Sequence, residues 1–147
     1  MLIVGCGCRG RALGAALAEQ GHAVRGTTRA EAGTKAIEAG GIEPAVADPD
    51  RLGTVMATLP GVSVVVWLLG AATGSTRADV HGPRLETLLE RLVDTPVRGF
   101  VYESDGAHGG RSLVETASAR WRIPAAVVER GAAPEAVAAA VEGLLAS

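Results

Sequence analysis

Aromatic residues and lysine are scarce in this 147-residue sequence. It has one Tyr, one Phe, two Trp and a single lysine, Lys35. Because hydrophobic residues still make up 48% of the chain, the core must be built from Val, Leu, Ile and Ala. At this length we expect one domain, spanning residues 1–147.

The sequence also lacks a strong net charge and a long apolar run. A net charge of −2 gives no electrostatic argument for binding nucleic acid or an anionic membrane. The longest apolar run, from Val62 to Ala72, is far shorter than the roughly 20 residues that span a bilayer. No basic leader precedes the opening MLIVG, so we expect a soluble, cytoplasmic protein. Two cysteines one residue apart cannot form a disulfide framework, and reduced thiols fit that compartment.

Short apolar runs alternate with longer amphipathic ones. The continuous apolar run from Ser63 to Leu69 is typical of a strand buried on both faces of a parallel sheet. Leucines spaced i, i+3, i+4, i+7 predict a helix from Arg84 to Val93. Six strands alternating with six helices predict an α/β fold, a single-domain, doubly wound parallel sheet of order 3-2-1-4-5-6 (the Rossmann fold). The predicted strands are Leu2–Val4, Ala23–Thr27, Glu43–Ala47, Ser63–Leu69, Arg98–Glu103 and Ala125–Glu129.

The stretch GCGCRGRALG contains the pattern G-x-G-x-x-G, with glycines at Gly5, Gly7 and Gly10. It follows a predicted strand and opens a predicted helix, which is the context in which this pattern indicates dinucleotide binding. Gly5 would allow the tight turn, Gly7 the close approach of a pyrophosphate, and Gly10 the packing of helix on sheet. We therefore predict a bound nicotinamide dinucleotide, NADP or NAD, with Cys8 and Arg9 as further contacts. The alternatives are a purely structural turn and a solvent-facing Arg9.

The second predicted strand distinguishes the two cofactors. An NAD-selective site usually has an acidic residue about 20 residues beyond the glycines, but here no acid precedes Glu31. Arg25, Thr27, Thr28 and Arg29 instead form a cationic, hydroxyl-rich patch suited to a 2′-phosphate. Arg29 is the strongest candidate, because a guanidinium binds phosphate through two parallel hydrogen bonds, and NADP is favoured over NAD. Alternatively, Arg25 is a solvated strand residue and Thr28 caps the next helix with Glu31 as its capping-box partner.

Three segments resemble one family, the atypical and extended short-chain dehydrogenase/reductases of the NAD-dependent epimerase-like group. They are GCGCRGRALGAALAEQGHAVRGTTR, VADPDRLGTVMATLPGVSVVVWLLG and VRGFVYESDGAHG. By that resemblance Asp48 would contact the adenine, and Leu69, Gly70 and Ala71 would line the cofactor. Ser104 would lie near the position of the family's catalytic serine. The resemblance also implies that the helix from Arg84 to Val93 builds a homodimer, whereas packing on its own sheet explains the leucines equally well.

The sequence departs from this family at the catalytic pair, a tyrosine followed four residues later by a lysine. Tyr102 is followed at that distance by Gly106, and the lysine Lys35 lies elsewhere. Tyr102 also falls within a predicted strand, where an aromatic residue usually packs. The family's substrate-binding domain has no counterpart either, so we expect a nearly minimal cofactor platform.

The loop SDGAHGGRS follows the fifth predicted strand, at the sheet edge where α/β proteins bind ligands. It holds Ser104 and His108, and a histidine that titrates near neutrality can donate a proton. Both are therefore candidate catalytic residues, although any strand-to-helix loop has this composition. Two functions remain open: an NADP-dependent oxidoreductase acting on an unknown small molecule, and a non-catalytic dinucleotide-binding redox sensor or regulatory subunit.

Two further groups of residues have open interpretations. Cys6 and Cys8 could bind a metal or form a redox pair, but no clustered Cys or His supplies further ligands. We therefore expect no metal and interpret both as small side chains in a crowded loop. His81 could face either the nicotinamide side or solvent.

Overall fold

The predicted fold class is confirmed by a computed structural model of the chain, which describes residues 1–70, 75–107 and 109–146. The chain forms a six-stranded parallel sheet in the order β3-β2-β1-β4-β5-β6. Each strand pairs in parallel with its neighbours, and Ile3 of the central strand lies opposite Gly26 on one side and Val66 on the other. The strands are β1 (Leu2–Val4), β2 (Arg25–Thr28), β3 (Glu43–Val46), β4 (Val64–Trp67), β5 (Gly99–Glu103) and β6 (Ala125–Val128).

Helices connect the strands and cover the sheet. The described residues hold seven α-helices, one more than the six predicted, and the additional one is the short helix Ser75–Val80. The helices of the described residues are α1 (Cys8–Glu19), α2 (Thr34–Ala39), α3 (Leu52–Met56), α4 (Ser75–Val80), α5 (Pro83–Leu92), α6 (Gly110–Trp121) and α7 (Pro134–Leu145), and a 3-10 turn (Glu31–Gly33) precedes α2. None of these helices combines the length and apolar character needed to cross a bilayer.

The apolar core fills both faces of the sheet. Inward-facing residues of β4 and β5 such as Trp67 and Phe100 pack with α5 and α6 on one face, while Ile3 and Val66 pack with α1 and α7 on the other. The leucine stripe of α5 belongs to the first of these layers, because its four leucines are at most 3% exposed. They pack on their own sheet, and the homodimer stays a prediction. The four are Leu85, Leu88, Leu89 and Leu92.

The predicted capping box of Thr28 and Glu31 is wrong. Thr28 is the last residue of β2, and its hydroxyl donates to the carbonyl of Ala30 at 3.4 Å. The 3-10 turn begins at Glu31 with Ala30 as its cap residue and without a side-chain cap. Local spacing cannot separate a cap from a strand end, because the pairing of β2 with β3 extends the strand through Thr28.

Candidate functional site

The glycine motif forms the turn between β1 and α1. Gly5 has φ +91°, and a Cβ there would lie 2.6 Å from the carbonyl oxygen of Leu68. The buried Thr27 holds the turn: its hydroxyl accepts the Gly5 N–H at 3.3 Å, and its carbonyl accepts the Cys6 N–H at 3.0 Å. A Cβ at Gly10 would lie 3.0 Å from the Gly5 carbonyl, so Gly10 lets the helix pack closely on the turn.

A cavity of about 450 Å³ opens beside this turn, and we call it the glycine-loop cleft. It lies over the carboxyl ends of β1 to β4, and the strand order reverses between β1 and β4. Doubly wound sheets usually bind their ligands at such a reversal. No side chain among the described residues caps the amino end of α1, so its first N–H groups remain available to an anion. The lining residues are Gly5, Cys6, Gly7, Arg11, Thr27, Thr28, Arg29, Gly33, Ala36, Ala47, Pro49, Leu68 and Leu69.

Two guanidinium groups, those of Arg11 and Arg29, line the glycine-loop cleft. The Arg29 side chain is 51% exposed, and its Nε lies 3.8 Å from the Asp48 carboxylate. Sequence reasoning missed Arg11, although helical periodicity gives a signal for it. Arg11 lies one helical turn beyond Gly7, whose carbonyl accepts its N–H at 2.8 Å, so both residues share the side of α1 that borders the cleft.

The residues predicted from the family resemblance divide between the cleft and its surroundings. Leu69 lines the cleft, as does Thr28 of the predicted 2′-phosphate patch, and Asp48 lies between two lining residues at the end of β3. Gly70 is buried against Glu103 instead: its N–H donates to the carboxylate at 2.7 Å, and a Cβ there would lie 2.7 Å from the same group. Ala71 lies outside the described residues.

Arg9 is directed away from the cleft lining. Its guanidinium donates to the carboxylate of Glu103 and, at 3.1 Å, to the carbonyl of Ala132 beyond β6. We call this contact the Arg9–Glu103 bridge. Glu103 was not predicted as a site residue; its one sequence signal is a carboxylate at the end of a strand that is otherwise apolar and buried.

Arg25 is not part of the site, which corrects the patch predicted from the second strand. It is the first residue of β2, whereas Thr28 is the last, so Arg25 lies at the opposite edge of the sheet from the glycine turn. Its guanidinium donates to Glu43 at 2.9 Å and to the carbonyls of Thr58 and Pro60. Of the predicted cationic patch, only Arg29 supplies a positive charge to the cleft.

Ser104 lies in a second cavity of about 370 Å³, which we call the serine recess; it does not line the glycine-loop cleft. The Ser104 hydroxyl accepts the N–H of Gly106 at 3.0 Å, and the residue is only 6% exposed. Arg111 and Glu129 form an ion pair at the recess. His108 lies outside the described residues, and the catalytic roles of Ser104 and His108 stay predictions.

A buried pair, His81 and Tyr102, supports the Leu69 wall of the cleft. The Leu69 carbonyl lies 2.9 Å from His81 Nε2 and can only accept, so Nε2 carries the proton. In the neutral ring, Nδ1 then accepts the Tyr102 hydroxyl at 2.6 Å. Burial raises the pKa of Tyr102 above its usual range. His81 therefore does not face solvent, and Tyr102 packs in the core, as its position in a strand indicated.

The two cysteines have different surroundings. Cys6 is buried and fills the space over Gly26, where a Cβ would lie 2.5 Å from its sulfur. Cys8 is exposed, so a crowded loop does not explain why a small side chain lies at that position. No group of three metal-ligating side chains occurs in the described part of the chain. Burial raises the pKa of Cys6 to about 11 from its ordinary value near 9.

This pKa shift predicts a loss of stability in alkaline solution. The unfolded thiol ionises near pH 9 and the folded thiol only near pH 11, so the free energy of unfolding should fall across that interval. Cys6 contributes at most about 1.4 kcal/mol per pH unit to this fall. Urea unfolding from pH 8 to 11 should show a shallower fall for Cys6→Ala than for the wild type. Cys8→Ala is the matched control, and an equal slope in Cys6→Ala would contradict the assignment.

No family model and no curated protein sequence matches this chain. Its structure, however, matches several solved structures. A Corynebacterium glutamicum protein provisionally assigned as a short-chain dehydrogenase/reductase superposes with a TM-score of 0.71 at 18% identity, over 99% of this chain and 91% of the other.

Two of the matching structures that belong to longer proteins are an epimerase and an oxidoreductase. The UDP-glucuronic acid 4-epimerase of Bacillus cereus, solved with NAD, matches with a TM-score of 0.67 at 15% identity over 87% of this chain and 55% of the epimerase. An NADPH-dependent quinone oxidoreductase of Escherichia coli matches at 0.60 and 18% identity over 86% of this chain and 45% of the enzyme. This chain thus spans about half the length of either protein. It has the fold of short-chain dehydrogenase/reductase and epimerase structures, as the sequence resemblance predicted.

Proposed function

We propose that this protein binds a nicotinamide dinucleotide in the glycine-loop cleft, with a preference for NADP over NAD. The observation that carries the proposal is the combination of an uncapped amino end of α1 with a turn in which Gly5 and Gly7 carry no side chain. Gly5 and Gly7 line the cleft there, so a diphosphate can approach the backbone N–H groups. The Arg11 guanidinium supplies positive charge beside them. These features fit a pyrophosphate.

The proposed preference for NADP rests on the residues at the carboxyl end of β2. Thr28 and Arg29 line the cleft there, whereas an NAD-selective site has a carboxylate at this position. Among the described residues the Arg29 guanidinium makes no hydrogen bond, and its ion pair with Asp48 is 3.8 Å long. Its N–H donors are therefore available to a 2′-phosphate, which a guanidinium binds through parallel hydrogen bonds.

Arg29→Ala tests the preference. We expect the affinity for NADP to fall roughly tenfold, because a charge-assisted contact with the 2′-phosphate is lost, while the affinity for NAD stays unchanged. Isothermal titration calorimetry with both nucleotides measures the two constants. Arg98→Ala removes another exposed arginine, next to β5 at the opposite edge of the sheet, and is the control. Equal losses for NADP and NAD would contradict the assignment of Arg29.

Hydride transfer remains a second candidate function. The fold that this chain shares with a quinone oxidoreductase supports it and suggests quinones as substrates to assay. The serine recess favours it by offering a hydroxyl and an ion pair at the same edge of the sheet. Against it, the Tyr102 hydroxyl is buried and bonded to His81, so it cannot replace the family's catalytic tyrosine. The binding role is common to the oxidoreductase and to the non-catalytic sensor.

A further inference from the structure

The carboxyl edge of the sheet holds two separate cavities, the glycine-loop cleft beside β1–β4 and the serine recess after β5 and β6. Every described residue that lines the glycine-loop cleft belongs to β1–β4 or to the segments that follow these strands. The ends of β5 and β6 are instead crossed by the Arg9–Glu103 bridge, which continues to the carbonyl of Ala132. This division matters because a doubly wound sheet consists of two mononucleotide-binding halves, and a dinucleotide lies across both.

Several hydrogen bonds hold the Arg9–Glu103 bridge in place. Glu103 has no exposed surface, and three donors satisfy its carboxylate: the Arg9 guanidinium and the N–H groups of Gly70 and Gly131. These donors come from α1 and from the segments after β4 and β6, so one carboxylate joins a helix and two loops. The space enclosed by Arg9, Leu68, Ala132 and neighbouring residues of α1 and α7 holds no void large enough for a water molecule.

The guanidinium of Arg9 is nevertheless held at one end only. Both of its hydrogen bonds are made by Nη2, while Nε is buried without a hydrogen-bond partner among the described residues. The side chain is about one-third exposed. A rotation that releases Nη2 would therefore free the whole group, so the Arg9–Glu103 bridge can open if a ligand contact replaces it.

We propose that the glycine-loop cleft recognises the phosphorylated adenosine half of its ligand, and that the Arg9–Glu103 bridge opposes the nicotinamide half. The ligand class is thus an adenine nucleotide carrying a 2′-phosphate and a 5′-phosphate or diphosphate. The nicotinamide nucleotide adds little affinity, because its binding displaces Arg9 from a buried carboxylate. This inference rests on the proposed function, since it concerns the same cleft.

The wild-type protein provides the first test, which needs no variant to fold. Isothermal titration calorimetry compares adenosine 2′,5′-bisphosphate, NADP⁺, NADPH and nicotinamide mononucleotide. We expect the bisphosphate and both dinucleotides to bind within about threefold of one another, and the mononucleotide not to bind measurably. Affinity for NADP⁺ more than about thirtyfold above that of the bisphosphate would overturn the inference and leave the proposed function standing. Failure of all four to bind would overturn both.

A double variant, Arg9→Met with Glu103→Gln, tests whether the bridge is the cause. It removes both charges together, so that neither is left unpaired. We expect NADP⁺ to gain about tenfold in affinity relative to the bisphosphate, whose own affinity stays unchanged. The control variant is Arg25→Met with Glu43→Gln, which removes an ion pair at the opposite edge of the sheet. An unchanged ratio in a folded Arg9/Glu103 variant would show that the bridge does not decide which half binds.

Discussion

Gly7→Ala should abolish most nucleotide binding while the protein stays folded. Gly7 lines the glycine-loop cleft at the amino end of α1, and a Cβ there meets no atom within 4 Å. Its backbone has φ −83°, so alanine adds no left-handed strain. The added methyl group instead occupies the space through which a diphosphate must approach the N–H groups. We expect affinity for NADP to fall at least about thirtyfold, roughly 2 kcal/mol.

Two other glycines serve as controls for this substitution. Gly53→Ala also places its Cβ in open space, within α3 and away from the cleft lining. It should raise the unfolding midpoint slightly, because alanine favours a helix more than glycine does, and leave the affinity unchanged. Gly10→Ala should destabilise the fold, because its Cβ would lie 3.0 Å from the Gly5 carbonyl. Thermal unfolding and calorimetry of all three variants separate the two effects. Unaltered binding by folded Gly7→Ala would refute the placement of a diphosphate on this turn.

Arg9→Met should cost about 3 kcal/mol of the free energy of unfolding. The substitution leaves the Glu103 carboxylate buried without its counter-charge, and breaking a buried ion pair in this way typically costs about 3–5 kcal/mol. We expect the lower end of that range, because Arg9 is itself 35% exposed and because two backbone N–H groups still contact the carboxylate. Urea unfolding at neutral pH measures the loss.

A double-mutant cycle of Arg9→Met and Glu103→Gln tests whether the loss of stability arises from the unpaired charge of Glu103. Glu103→Gln retains an oxygen that can accept the Gly70 N–H, so the Arg9→Met, Glu103→Gln double variant should be more stable than Arg9→Met alone. The coupling between the two positions should therefore exceed about 1 kcal/mol. Strictly additive effects would mean that the two side chains do not interact in solution.

Several features of the fold were predictable because they depend on local pattern. A continuous apolar run indicated β4, and leucine spacing indicated α5, since each pattern follows from which faces the element buries. The turn at Gly5 followed from the glycine spacing between a strand and a helix. The short helix α4 was missed, because its six residues are too few to show a long periodic pattern.

The candidate site was predicted less completely, because its side chains meet across the sheet. Arg25 and Arg29 lie four residues apart in sequence, yet the strand carries them to opposite edges, and only Arg29 lines the cleft. Arg9 and Arg11 flank Gly10, yet the helical turn points one toward Glu103 and leaves the other at the cleft. Glu103 itself gave little local signal, because its three donors come from distant segments.

The amino-acid sequence by itself determined the order of strands and helices, the parallel sheet and the glycine turn, because these follow from hydrophobic periodicity and from the backbone freedom of glycine. Only the tertiary structure decided which charged groups face the cleft and which close the edge beside it. A buried carboxylate selects its partners by proximity in space, and the donors to Glu103 are separated from it by 28 to 94 positions along the chain. No local sequence pattern contains that information.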